Sequence, residues 1–154
     1  VMKTLNHLPE VQVLHLSGAH DLDEVRQSYA SRKHSSKVHA FLHEMPQAMA
    51  AASLAVTRAG ASSLAELAAA GVPSILVPLP HSADQHQLAN ARAVAEMGGG
   101  IIAEEQKTSP SQLGSIISDL LNDKSKLTSM SERMSKLDQP NAAKEMASRI
   151  LERM

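Results

Sequence analysis

Two groups of polar residues follow predicted strands and open predicted helices, which is where a parallel α/β sheet binds its ligands. In the first group, the apolar residues Leu54–Val56 lead to Gly60, and Ser62 or Ser63 can cap the helix that follows. Backbone N–H groups at such a helix amino terminus suit a phosphate or a diphosphate. Glu66 lies in the first turn, where its carboxylate can accept hydrogen bonds from the vicinal hydroxyls of a ribose. An ordinary serine N-cap and a glutamate favoured by the helix dipole explain the same residues.

The second group is a run of amides, imidazoles and a carboxylate after the predicted strand Ser74–Val77. Its members are His81, Asp84, Gln85, His86, Gln87 and Asn90. Amide and imidazole groups both donate and accept hydrogen bonds, so they orient sugar hydroxyls well. His81, Asp84 and His86 also have metal-ligand chemistry, but their spacing is not that of a HExxH helix, and we expect no metal. A solvated loop is the plain alternative.

Three apolar residues, Phe41, Leu42 and Met45, lie where another predicted strand, Val38–Leu42, ends. Their residue types alone favour a place in the hydrophobic core. A ligand recognised by backbone atoms at a strand end would leave no preference for particular side chains. The sequence is therefore nearly silent about binding at this position.

Strands and helices alternate along the chain. We predict strands at Val11–Leu16, Val38–Leu42, Leu54–Val56, Ser74–Val77 and Ile101–Ala103. We predict helices at Asp21–Ser31, Gln47–Ala52, from Ser62 to a stop at Gly71, and at Ala83–Met97, Ser109–Leu121, Lys124–Leu137 and Asn141–Met154. This alternation favours an α/β fold with a doubly wound parallel sheet and right-handed crossovers, followed by C-terminal helices.

The composition argues against several classes of function. The 154 residues suffice for one domain with a hydrophobic core. The 15 basic and 16 acidic residues leave no basic excess for nucleic acid, and one Phe, one Tyr and no Trp offer few stacking surfaces. Without Cys there are no disulfides or thiolate metal sites, and no apolar run reaches the roughly 20 residues of a membrane span. No signal peptide is visible, and we expect a soluble cytoplasmic domain.

Three stretches together resemble a known family. The segment RAGASSLAELAAAGVPSILVPLPHSADQHQLANA, residues 58–91, resembles the nucleotide-sugar signature of the MurG family, undecaprenyldiphospho-muramoylpentapeptide β-N-acetylglucosaminyltransferases. Residues 11–18 (VQVLHLSG) and 38–49 (VHAFLHEMPQAM) resemble the two units that precede the signature there. The resemblance covers nearly the whole chain, in order and at matching spacing. It implies a Rossmann-like fold, the C-terminal half of a GT-B glycosyltransferase.

The resemblance also implies roles for individual residues. In that family, the position of Glu66 binds the ribose, and the turn that includes Ala61, Ser62 and Ser63 faces the nucleotide. The backbone at the Leu42 position meets the uracil edge, while Phe41 and Met45 shape the pocket. His86 and Gln87 match the pair that holds the donor sugar, and the acidic pair before them appears here as Asp84-Gln85. No catalytic residue, cofactor or metal is implied for this chain, since the family's base belongs to its other half.

The function implied is transfer of N-acetylglucosamine from UDP-N-acetylglucosamine to a lipid-linked muramoyl-pentapeptide (lipid I to lipid II) in peptidoglycan synthesis, which supports cell shape and division. Residues 1–154 are expected to form the donor-binding domain, without its first strand and without the N-terminal acceptor domain. That absent domain would bind the lipid acceptor and the cytoplasmic face of the inner membrane. The alternatives are a stand-alone UDP-N-acetylglucosamine-binding subunit with a separate membrane partner, and a non-catalytic nucleotide-binding module.

Overall fold

The computed structural model describes residues 2–8, 10–30, 35–80 and 85–152. A short 3₁₀ helix, Met2–His7, precedes an alternation of strands and helices. The strands are β1 Gln12–Leu16, β2 Ser35–His39, β3 Ala55–Thr57, β4 Ser74–Leu76 and β5 Gly100–Ile102. The helices are α1 Leu22–Ala30, α2 Met45–Ala51, α3 Ala61–Ala70, α4 His86–Glu96, α5 Pro110–Asn122, α6 Lys124–Ser135 and α7 Ala142–Leu151. Within the described residues, no helix combines the length and apolar character that crossing a membrane requires.

All strand pairings are parallel, as the alternation of strands and helices predicts. The strands form two hydrogen-bonded sheets, however, with the orders β1-β2 and β3-β4-β5. The first sheet pairs Gln12 with Ser35 through to Leu16 with His39. The alternation fixes the direction of the strands because each crossover is a helix, but it does not decide which strands are neighbours. In place of the expected single sheet, the described residues form one hydrogen-bonded sheet of two strands and one of three.

The core lies on both faces of the larger sheet. In β4, the consecutive residues Ile75 and Leu76 are both fully buried and belong to different hydrophobic clusters. Ile75 packs with Leu113, Ile117 and Leu120 of α5 and Met130 of α6. Leu76 packs with Leu67 of α3, Ala91 and Val94 of α4, and Met134 of α6. A strand covered by helices on both faces reads as a continuous apolar run, which confirms the doubly wound arrangement.

Helix ends follow the signals in the sequence. Gly71 ends α3 in the left-handed conformation, with φ at 64°. Its N–H donates to the carbonyl of Ala68, and the Val72 N–H donates to that of Leu67. Ser109 caps α5 through a capping box with Gln112. These ends fix where the following strand or helix begins.

Several predicted boundaries differ from the structure, most of them by one or two residues, and the whole of β2 is shifted by three. β2 ends at His39, not at Leu42, because its register with β1 begins at the polar residue Ser35. Apolar content alone favoured a later strand, whereas backbone pairing decides its position. α4 begins at His86, and the predicted start at Ala83 lies outside the described residues.

Candidate functional site

The carboxyl ends of β3, β4 and β5 meet at one edge of the larger sheet because the three strands are parallel. The connections that leave this edge are residues 58–60 before α3, residues 77–85 before α4 and residues 103–109 before α5. Ligands of open α/β sheets bind at this edge. The candidate site is therefore built from the β3–α3 turn, the β4–α4 loop and the amino termini of the helices that follow them.

The amino terminus of α3 is open to solvent. Gly60 is the N-cap residue, with φ −71° and ψ 143°, and its carbonyl accepts the first helical hydrogen bond from Leu64 N–H at 3.0 Å. The N–H groups of Ala61, Ser62 and Ser63 precede that bond, so helix geometry gives them no intrahelical acceptor. The predicted serine cap is wrong, because extended backbone at Gly60 starts the helix at Ala61. Three N–H groups at a helix amino terminus can receive an anion.

Glu66 lies in the second turn of α3, not in the first turn as the sequence predicted. Because α3 begins at Ala61, before either predicted serine cap, Glu66 lies beyond its first turn. The dipole effect falls off within the first turn, so the dipole is a weak explanation for Glu66. Ser62 and Glu66 are four residues apart and therefore share one face of α3, separated by about 6 Å along the axis. Both side chains are exposed to solvent.

The residues after β2 are only partly buried. The ring of Phe41 is 70% exposed, so placing it in the core is wrong. It contacts the His43 ring edge-to-face, with ring centroids 4.9 Å apart. Leu42 is half-buried in the β2–α2 connection, and Met45, also half-buried, is the first residue of α2. Since α2 packs against α3, this connection belongs to the α3 side of the structure.

The start of α4 braces two loops of the candidate site. Gln87 Oε1 accepts a hydrogen bond from Leu79 N–H in the β4–α4 loop at 2.9 Å. One turn later, Asn90 Nδ2 donates to the carbonyl of Ala59, before the amino terminus of α3, at 3.1 Å. His86 is the exposed first residue of this helix, whereas Gln87 is half-buried. One face of α4 therefore holds both the β4–α4 loop and the β3–α3 turn.

Part of the second polar group falls outside the described residues, namely His81 and Asp84. Gln85 is described, and its backbone is left-handed with φ at 53° directly before α4. Among the described residues, no three histidine or acidic side chains are grouped as metal ligands.

Arg58 and Glu105 were not predicted from the sequence as residues of the site. Arg58 follows β3, and its Nη1 donates both to the carbonyl of Val77 at 3.2 Å and to Glu105 Oε2 at 2.9 Å. Glu105 follows β5 and is 47 residues away in the chain. An arginine at a strand end was visible in the sequence, but nothing local indicated its partners. Likewise, Asn90 was assigned to a polar cluster without its contact to Ala59.

Two histidines near β1 have shifted pKa values. Burial lowers the pKa of His15, whose Nδ1 lies 3.1 Å from the hydroxyl oxygen of Tyr29. The hydrogen bond from the exposed His20 to Asp21 raises the pKa of His20.

The acidic and amide side chains of the candidate site, together with the open helix terminus, are suited to holding a polar ligand with an anionic group.

The sequence matches the family described as "Glycosyltransferase family 28 C-terminal domain" over residues 1–149. A protein of Syntrophotalea carbinolica named UDP-N-acetylglucosamine--N-acetylmuramyl-(pentapeptide) pyrophosphoryl-undecaprenol N-acetylglucosamine transferase is 42% identical over 134 residues, 86% of this chain and 37% of that protein. A protein of the same name from Myxococcus xanthus is 38% identical, over 87% of this chain and 35% of its own length. The chain thus spans little more than a third of these curated relatives.

Solved structures share the fold. The crystal structure of Acinetobacter baumannii MurG matches 99% of this chain and 44% of its own, with a TM-score of 0.89 and 29% sequence identity. The glycosyltransferase VinC, solved in complex with dTDP, matches 99% of this chain with a TM-score of 0.75 at 17% identity, which supports the fold alone. Fold, sequence and the order of the elements agree, and the chain belongs to the family of glycosyltransferase family 28 C-terminal domains.

Proposed function

We propose that this chain is the donor-binding domain of a glycosyltransferase that uses UDP-N-acetylglucosamine in peptidoglycan synthesis. The observation that carries the proposal is the grouping of the open α3 amino terminus, Glu66 and the braced start of α4 in a member of this family. The relatives named above are N-acetylglucosamine transferases acting on a pyrophosphoryl-undecaprenol acceptor. The acceptor for this protein would be the lipid-linked muramoyl-pentapeptide.

The diphosphate would bind at the amino terminus of α3. The N–H groups of Ala61, Ser62 and Ser63 supply donors there, and the helix dipole favours negative charge. The ribose would then lie along α3, because Glu66 shares a face with Ser62 one turn further along the helix. In this arrangement the Glu66 carboxylate accepts hydrogen bonds from the two ribose hydroxyls.

The uracil would bind in the β2–α2 connection. The exposed ring of Phe41 offers an apolar surface, and Leu42 would use backbone groups to bind the uracil edge. Met45, at the start of α2, would close the pocket from the α3 side. These roles of Phe41, Leu42 and Met45 come from the family resemblance. The packing of α2 on α3 supports them, because it brings the β2–α2 connection to the side of the sheet where α3 lies.

The N-acetylglucosamine moiety would lie at the start of α4. His86 is exposed there, and Gln87 would present its amide NH₂ group to the sugar, since its Oε1 accepts from Leu79 N–H. A sugar bound at α4 and a diphosphate bound at α3 would be held in a fixed relation by the hydrogen bond from Asn90 to Ala59. Holding the donor in one orientation is the contribution of this domain to transfer.

The chemical step would need groups that the donor-binding residues named above do not supply. The curated relatives are more than twice as long as the part that matches this chain, and we assign the acceptor site and the base to a separate, N-terminal domain. In the transfer, the acceptor hydroxyl attacks the anomeric carbon, a base takes its proton, and UDP leaves. We further propose that the same domain carries the contact with the cytoplasmic face of the membrane.

Calorimetric titration with UDP, UDP-glucose and UDP-N-acetylglucosamine tests this proposal. We expect UDP and UDP-N-acetylglucosamine to bind without added metal, with UDP-N-acetylglucosamine preferred over UDP-glucose. Glu66→Gln should weaken both by about 1–3 kcal/mol, the scale for charge-assisted hydrogen bonds. The matched control is Glu132→Gln, an exposed glutamate on α6, which should leave both affinities unchanged.

Two results would contradict the proposal. If the wild-type chain binds none of the three nucleotides, this domain is not a donor site. If Glu66→Gln binds as well as wild type while remaining folded by circular dichroism, the ribose is not held by Glu66. Loss of binding with EDTA, restored by Mg²⁺ or Mn²⁺, would instead indicate a metal-dependent site.

A further inference from the structure

We propose that Arg58 and Glu105 form a positioning pair that sets the spacing between the β3–α3 turn and the β4–α4 loop. The inference rests on the proposed function, because the turn leads directly into the proposed diphosphate site at the start of α3, and Leu79 of the loop is hydrogen-bonded to Gln87 at the proposed sugar site. Neither side chain is proposed to touch the ligand. Their effect is on how well a ligand that spans both segments fits.

The guanidinium of Arg58 connects residues that follow three neighbouring strands. Arg58 follows β3, Val77 follows β4 and Glu105 follows β5. A single atom, Arg58 Nη1, donates to the Val77 carbonyl at 3.2 Å and to Glu105 Oε2 at 2.9 Å. Neighbouring strands lie about 4.8 Å apart, so this side chain crosses β4 to reach the connection after β5. The pair therefore points along the sheet edge toward β5.

The atoms that Arg58 holds are adjacent to both ligand-binding segments. Arg58 directly precedes Ala59, whose carbonyl accepts the hydrogen bond from Asn90. Val77 is two residues before Leu79, whose N–H donates to Gln87. On the helix side, α4 thus connects the turn and the loop, and on the sheet side Arg58 connects the same two segments. Together they form a closed frame, and the Glu105 carboxylate limits the positions that the guanidinium can take.

The pair is exposed enough that its effect on global stability should be small. The side chains of Arg58 and Glu105 are 47% and 55% exposed, and ion pairs of this kind contribute little to folding. Fixing the two segments to within a fraction of an ångström, in contrast, matters for a ligand that spans the starts of α3 and α4, into which they lead. The expected signature is a selective loss for the full donor, with little loss for a nucleotide without the sugar, which does not reach α4.

The chain contains a matched control for this pair. Lys107 Nζ lies 2.9 Å from Glu104 Oε1, the same distance as in the Arg58–Glu105 pair. Both residues of the control pair lie in the β5–α5 connection, so it bridges no other strand end. Glu104→Gln therefore removes a neighbouring charge of the same sign without changing the frame.

The experiment measures dissociation constants for UDP and UDP-N-acetylglucosamine on the full chain. We expect Glu105→Gln to weaken UDP-N-acetylglucosamine binding about two- to fivefold and Arg58→Ala about five- to twentyfold. Binding of UDP should stay within about twofold of wild type, because UDP lacks the sugar that reaches α4. Arg58→Lys, whose ammonium can donate to both acceptors, should recover most of the loss. The double variant should match Arg58→Ala, since Glu105 acts through the guanidinium.

Each other outcome overturns the inference. Equal losses for UDP and UDP-N-acetylglucosamine would mean that the pair acts on the nucleotide or on folding, which thermal unfolding of the same variants would separate. Additive effects in the double variant would show that Glu105 does not act through Arg58. A loss with Glu104→Gln equal to that with Glu105→Gln would indicate a general charge effect. If wild type binds neither nucleotide, the proposed function itself has failed, a result distinct from these three.

Discussion

Replacing Gln87 separates its two proposed roles, in the loop and at the sugar. The Oε1 atom accepts from Leu79 N–H at 2.9 Å, while the amide NH₂ is the group proposed to meet the sugar. Gln87→Ala removes both interactions. Gln87→Glu keeps an acceptor for Leu79 N–H and replaces the NH₂ donor with a second carboxylate oxygen. The two variants therefore differ in the loop contact and agree in the loss of the sugar donor.

The expected magnitudes follow from these contacts. Losing one or two hydrogen bonds to sugar hydroxyls costs about 1–2 kcal/mol, or about five- to thirtyfold in affinity. Losing the exposed bond from Leu79 costs the fold about 0.5–1 kcal/mol, which lowers the melting temperature by about 1–4 °C in a domain of this size. Gln87→Ala should show both effects, whereas Gln87→Glu should show the first effect and a nearly unchanged melting temperature.

The assay is calorimetry with UDP and UDP-N-acetylglucosamine, together with thermal denaturation. The new carboxylate of Gln87→Glu would repel the diphosphate in both ligands, and more strongly in UDP, whose terminal phosphate carries an additional negative charge. We therefore use the ratio of the two dissociation constants, from which most of the repulsion cancels; the remainder opposes the expected shift. We expect the ratio to shift against the sugar nucleotide in both variants. If Gln87→Glu keeps the wild-type ratio while Gln87→Ala loses it, Gln87 serves the loop alone, and its proposed contact with the sugar is wrong.

Two further predictions concern stability. Ser74 is fully buried in β4, and its Oγ has no hydrogen-bond partner among the described residues, so Ser74→Ala should raise the free energy of unfolding by about 1 kcal/mol. The control Ser131→Ala, which removes a 2.7 Å bond to the Gly71 carbonyl, should lower it. A fall with Ser74→Ala in denaturant unfolding would show that this hydroxyl does stabilise the fold. Burial lowers the pKa of His15, so the unfolded chain binds more protons, and stability should fall as the pH drops below 6.5. His15→Gln should reduce this slope in pH-dependent denaturation, and an unchanged slope would assign it to other groups.

The fold could be predicted from the sequence because its signals are local. Gly71 ends α3 and Ser109 caps α5 as predicted, since one glycine and one capping box decide these points within a single turn. The buried residues of α5, Leu113, Ile117 and Leu120, likewise have the spacing of three and four that marks one face of a helix. In contrast, β2 was placed three residues too late, because its position depends on pairing with β1 across the intervening helix.

The candidate site could be predicted only in part. The group after β3 was located correctly, but starting α3 at Ser62 or Ser63 put Glu66 in the wrong turn. A glycine N-cap carries no side chain that marks it in a sequence, whereas serines are common caps and drew the assignment to themselves. Phe41 was assigned to the core by residue type, yet most of its ring faces solvent. Residue type alone therefore does not decide whether a large apolar residue after a strand lies in the core.

The frame around the site could not be predicted because one partner in each of its three hydrogen bonds is a backbone atom. Asn90 binds the carbonyl of Ala59, Arg58 binds that of Val77, and Gln87 binds the N–H of Leu79. Every residue type has a backbone carbonyl, and every type except proline has a backbone N–H. The residue types at positions 59, 77 and 79 therefore do not reveal these hydrogen bonds. The side chains that supply the other half of each bond are visible in the sequence. All three belong to polar residues directly after a strand or in the first two turns of a helix. In an α/β domain, polar residues at such positions should therefore be considered first as braces between loops. Whether such a residue can also bind a ligand then depends on which of its polar atoms take no part in these hydrogen bonds between loops.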